Sequence, residues 1–90
     1  MSELLEEYLG RVRLGEQTKE FLRSPVGSVI LNAAHDEIDA GHEQLETANT
    51  IEEVREAQCR VWRGRSLITW LDELIMVGEE ARIQIEDNID

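Results

Sequence analysis

Two seven-residue series run side by side through the second half of the chain. Val54, Val61, Ile68, Ile75, Arg82 and Ile89 form one; Ala57, Gly64, Leu71, Gly78 and Ile85 form the other. Interleaved, they make an a/d stripe sustained for about five heptads, the mark of a long helix packed along another helix. Two glycines and one arginine interrupt the stripe, and Leu67 and Leu74 widen its middle. The stripe predicts a helix over 51–87.

Local chemistry supplies the boundaries. Thr50 can cap that helix, with Glu53 reaching back as its capping-box partner, and Ala48-Asn49 leaves only a short connection before it. Upstream, Ser24-Pro25 pairs a good N-cap with a proline at the first helical position, where no helical hydrogen bond is lost. The segments expected are therefore about 2–23, 25–47 and 51–87. In the second, Ile30, Ala34, Ile38, Gly41, Leu45 and Ala48 recur at helical steps, a narrow seam built partly from small residues. In the first, Leu5, Tyr8, Leu9 and Val12 share a face, followed by Phe21 and Leu22; Gly15 leaves open one helix or two short ones.

A link of two or three residues makes the second and third helices antiparallel neighbours. The fold class expected is all-α, an antiparallel helical hairpin with coiled-coil-like packing and an additional N-terminal helical segment. Leu, Glu, Arg, Ala and Ile dominate and suit helices, and one proline and one tyrosine leave little for a sheet. Ninety residues make one domain, 1–90, with a limited core. At 1.5 Å per residue the third helix reaches about 55 Å and the second about 35 Å, so the far end of the third needs cover from the first segment or from another chain. That overhang points to a homo-oligomer or an obligate partner. The seam expected between the helices is Ile30, Ile38 and Leu45 against Val61, Ile68, Leu71 and Ile75.

Charge is arranged in blocks within a net charge of -11. Residues 36–53 hold seven acids and no lysine or arginine; 55–65 hold four arginines and one acid; 72–90 hold seven acids and one arginine. In an antiparallel hairpin, Arg55, Arg60, Arg63 and Arg65 can face Asp36, Asp39, Glu43 and Glu46. Arg11, Arg13, Lys19 and Arg23 can likewise answer the acidic end of the third helix. Exposed pairs are each worth about 0–1 kcal/mol, so the blocks set register more than stability. Four arginines in so negative a field make a poor footprint for phosphate, and no direct nucleic-acid contact is expected.

Both tryptophans fall within 60–70 beside three of those arginines. Counted at 100° per residue, Trp62 and Trp70 sit about 130° from the centre of the stripe, on opposite sides of it and both on the back half of the third helix. Either the first segment covers them, or they serve as intermolecular anchors together with Arg63 and Arg65, since Trp and Arg are enriched in that role.

Little supports catalysis. His35, Asp39, His42 and Glu46 form one stripe, as histidine and carboxylate in helical metal sites do, but without a His-Glu-x-x-His motif the reading is an exposed polar face and no metal. Cys59 is alone, which excludes an internal disulfide, fits a reducing cytoplasmic setting, and leaves it a spectator thiol. The glycines form no phosphate loop, the serines no nucleophile elbow, and neither an enzyme nor a cofactor is expected. The acidic start Met-Ser-Glu-Leu-Leu-Glu-Glu lacks the features of a secretory signal, and the longest uncharged stretch, 24–34, is too short for a bilayer. A rod dense in acids such as Asp36, Asp39, Glu43 and Glu46 has an alternative use. It can imitate a nucleic-acid backbone and block the basic groove of a host defence or nucleic-acid-binding protein.

The runs Leu14-Gly-Glu-Gln-Thr-Lys-Glu-Phe-Leu-Arg-Ser-Pro-Val-Gly-Ser-Val-Ile-Leu31 and Leu67-Ile-Thr-Trp-Leu-Asp-Glu-Leu-Ile-Met-Val-Gly-Glu-Glu80 resemble small helical proteins of tailed bacteriophages and prophages. The resemblance implies a phage product made in the bacterial cytoplasm, with a place in the virion open to it. Its role would be that of an accessory or assembly component, or of an inhibitor of a host system. It carries over no catalytic or binding residue.

Overall fold

A computed structural model describes residues 2–89 as three helices and no strand: α1 (Ser2–Arg23), α2 (Pro25–Thr47) and α3 (Ile51–Ile89). The chain is an all-α hairpin in which α2 and α3 pack closely. Helix α1 is continuous through Gly15, and α3 runs two residues beyond the expected 87.

The link between α1 and α2 is one residue long, and its chemistry is local. Pro25 cannot donate to the Phe21 carbonyl, and its ring would press on that group if the helix continued. The Phe21 carbonyl instead accepts from the Ser24 amide at 3.0 Å and from the Ser24 hydroxyl at 2.6 Å. The same Ser24 oxygen accepts from the Gly27 amide at 3.0 Å and so caps α2. A Cβ at position 27 would run into the Phe21 carbonyl, which is why the bend needs glycine there. At the other link Thr50 Oγ1 accepts from the Glu53 amide at 3.1 Å, and Glu53 reaches back to the Asn49 amide at 2.8 Å.

Across this bend α1 and α2 keep the same sense along α3. Gly15 lies beside Leu74 and Gly78, Ala34 beside Gly64, and Gly41 beside Ala57 and Val61. Numbers rise along the first arm as they fall along α3, so both helices are antiparallel to it. Helix α1 therefore covers the far half of α3, and the expected overhang is answered within the chain. The length mismatch gives no support to an oligomer.

The helices approach closely because small residues line the crossings. The buried apolar residues are Ala34, Ala57, Val61, Leu71 and Ala81, and no large side chain among the described residues is fully buried. Ile38, Leu45, Ile68 and Ile75 are half-buried along the same seam. Ile30 departs from the expected seam: it is exposed, in the second turn of α2. Thr18 is buried and donates to the Leu14 carbonyl at 2.8 Å, so its hydroxyl is satisfied without a partner helix.

The outcome is a rod of 60 × 28 × 17 Å with a radius of gyration of 18.2 Å. A compact chain of this length would have a radius of about 12 Å. The accessible surface is 6916 Å², against about 5,400 Å² for a typical folded monomer of this mass. Much apolar surface thus stays in water, and where it lies decides what the rod can do.

Candidate interaction face

Helix α3 is buried along Ala57, Val61, Gly64, Leu71, Gly78 and Ala81. Counted at 100° per residue, Trp62, Thr69 and Met76 lie roughly opposite that stripe and face away from α1 and α2. Trp62 is 69% exposed and Trp70 59%, so α1 covers neither indole. Eight residues apart, they stand about 12 Å from one another along the helix axis. Arg65, Ser66, Thr69 and Glu73 line the shallow depression between them. Two large flat side chains with small polar ones between them can clamp a ridge from another molecule. Each indole removes about 150–250 Å² from water when covered.

The apolar surface continues past the tryptophans. Met76, Val77 and Ile83 are also exposed. Trp62, Thr69, Met76 and Ile83 are spaced by seven residues, a second series on the outer side of α3. Seven-residue spacing in the sequence could have revealed this outer series, but the stronger aliphatic stripe of the inner face dominates it.

The arginines beside the indoles are only partly matched. Arg60 donates to Glu37 from Nε and Nη2, at 3.3 Å and 3.0 Å to Oε1. Arg63 reaches the other oxygen of Glu37 at 3.6 Å. The hydrogen bond from Arg60 holds the Glu37 carboxyl below its ordinary value, against the opposing effect of partial burial. The partner of this cluster is thus Glu37, in place of the expected Asp36, Asp39, Glu43 and Glu46. Those four lie on the outer face of α2, exposed, and enter no ion pair among the described residues. Glu37 lies instead on the flank of the Ala34–Ile38–Gly41 seam, where α3 passes. Arg55 and Arg65 are exposed and likewise enter no ion pair among the described residues.

A matching arrangement ties α1 to α3. Lys19 Nζ lies 2.5 Å from Glu79 and 3.5 Å from Glu16, and Arg82 lies 2.6 Å from Glu79. The hydrogen bond from Lys19 holds the Glu79 carboxyl low, and the same bond raises the Lys19 ammonium. Of the other expected cations, Arg11 turns to Glu7 of its own helix at 2.6 Å and lies 5.8 Å from the centre of the Tyr8 ring. Arg13 and Arg23 make no ion pair among the described residues.

His35, Asp39, His42 and Glu46 are all exposed on α2. No group of three or more His, Cys, Asp or Glu among the described residues is placed to hold a metal ion. Cys59 is exposed on α3. No described helix is long and apolar enough to cross a membrane. Comparison with protein-family models, with curated proteins and with solved structures found no match for this chain.

Proposed function

We infer that the chain is a non-enzymatic docking module that offers the outer face of α3 to a protein partner. Trp62 and Trp70 are its apolar anchors, and Arg63 and Arg65 its polar rim. One observation carries this reading: both indoles stand largely in water on a helix whose other side is already packed. Exposed tryptophan is costly to solvate and is a preferred hot-spot residue when covered. An assembly or accessory role in a tailed phage, which the resemblance implies, suits a rod that leaves large apolar side chains in water.

A second reading rests on a different face. Asp36, Asp39, Glu43 and Glu46 are exposed along α2 without cationic partners among the described residues, as a mimic of a phosphate backbone requires. Salt separates the two. Affinity capture with the wild-type chain and with Trp62→Ala/Trp70→Ala, in low and in high salt, tests the docking reading. A protein held in high salt by the wild type and lost by the double variant supports it. A protein held equally by both chains and released by salt overturns it and favours the acidic face.

A further inference from the structure

We propose that the occupant of the outer face of α3 is a second copy of this chain, with α3 packed antiparallel against α3 about a two-fold axis near Thr69. The proposal rests on the reading of that face as a docking surface and names the partner.

Charge decides the orientation. Along the outer and flanking surface of α3, Arg55, Arg63 and Arg65, with one acid, Glu52, precede Thr69, whereas Asp72, Glu73, Glu80, Glu86 and Asp87 follow it, all exposed. A parallel pair would stack Arg65 on Arg65, Glu73 on Glu73 and Glu80 on Glu80, which adds repulsion between chains that each carry a net charge of -11. The antiparallel pair joins opposite signs. With the axis at Thr69, Arg65 of one copy lies level with Glu73 of the other, and Arg55 enters the region of Glu80 and Asp87. The apolar residues fall into the same register, because Trp62 and Met76 are each seven residues from Thr69. Trp62 of each copy then meets Met76 of the other, a side chain that shapes itself to aromatic surfaces. Thr69, small and exposed, lets the two helices approach at the axis.

Surface area agrees. The rod exposes 6916 Å², about 1,500 Å² more than a typical folded monomer of its mass. A standard interface removes about 800 Å² from each partner, so one such contact takes away roughly half of that excess. A two-fold contact also uses one patch twice and closes, without leaving a sticky end for a fibre. Nothing blocks the approach, since α1 and α2 both lie on the opposite side of α3.

Mass and cross-linking test the proposal. Sedimentation of the wild type should give twice the chain mass of 10.3 kDa. Trp62→Glu/Met76→Glu should give the single-chain mass with unchanged helical circular dichroism, its dissociation constant raised at least about a hundredfold. Orientation is read on a Cys59→Ser background, because Cys59 and its counterpart would stand far apart in the antiparallel pair and close in a parallel one. After oxidation with glutathione disulfide, Arg65→Cys chains mixed with Glu73→Cys chains should form a mixed covalent dimer, and neither alone should. Efficient cross-linking of Arg65→Cys chains to each other would mean a parallel pair and would overturn the proposal. A dimer indifferent to Trp62→Glu/Met76→Glu would place the contact elsewhere and overturn it too. A wild type that stays a monomer at every concentration overturns self-pairing alone; the docking reading then stands or falls on the capture experiment.

Discussion

Gly64 of α3 sits against the backbone of Ala34 of α2, so close that a Cβ at position 64 would lie 2.5 Å from the Ala34 carbonyl oxygen and 2.7 Å from Ile38 Cγ1. The obstacle is backbone, which cannot rotate aside. Gly10, by contrast, has nothing within 4 Å of such a Cβ. The same substitution should therefore change sign between the two sites. Gly10→Ala should stabilise by about 0.5–1 kcal/mol, the intrinsic helix preference. Gly64→Ala should destabilise by about 1–3 kcal/mol, because the overpacked crossing must spread. Urea unfolding of the two variants checks both signs, and a stabilising Gly64→Ala would refute the close crossing.

Helix ends were legible because their causes are local. Ser24-Pro25 and Thr50 with Glu53 set boundaries through bonds that span four residues or fewer, and α1, α2 and α3 begin or end there as the sequence implies. The path of α1 was not legible. Whether it doubles back or continues along α3 depends on the geometry at the Phe21 carbonyl and on the fit of Gly15 to Gly78, contacts distant in sequence. Charge blocks had a similar limit. They bring the acidic α2 beside the arginines of α3, but a block carries no helical phase, so it cannot separate Glu37 from the four acids on the far face. Both tryptophans could be placed on the back of α3 by angle alone; their exposure required knowing where α1 goes.

The Ser24 hydroxyl serves both helices at the bend, which makes it the more sensitive of the two caps. It donates to the Phe21 carbonyl and accepts from the Gly27 amide. Ser24→Ala removes both bonds at once, whereas Thr50→Ala removes only the bond from Glu53 to a cap. Each should lower stability by about 0.5–2 kcal/mol, with Ser24→Ala at the upper end. Amide hydrogen exchange should show faster opening at the start of α2 in Ser24→Ala and at the start of α3 in Thr50→Ala.

Acid should erase what Glu37 contributes. Its folded carboxyl is held below the ordinary value of 4.5, first by the hydrogen bond from Arg60. A lowered folded value means that the stabilisation is complete well above pH 4.5 and is lost as pH falls through the folded value. Wild type should accordingly be more stable than Glu37→Gln at neutral pH, and the two should converge in acid below the ordinary carboxylate range. Comparing the pair cancels most of the change in self-repulsion that protonating the other acids brings. Lys19 runs the other way: its folded value is raised above 10.5, so its contribution holds below that pH and disappears as pH rises through the folded value. Denaturant midpoints across pH for Glu37→Gln and Lys19→Met, each against wild type, check both directions.

The tryptophans should matter little to the fold of a single chain. Core truncation of an aromatic costs about 3–5 kcal/mol, but these indoles are 69% and 59% exposed. At dilutions where the chain is a monomer, Trp62→Ala and Trp70→Ala should each shift stability by no more than about 0.5 kcal/mol. Acrylamide should quench both indoles readily under the same conditions and much less as concentration rises and the face is covered. A loss of several kcal/mol in the dilute chain would make the indoles part of the core. It would remove the physical ground for a docking face, because a side chain already spent on the fold has little apolar surface left for a partner.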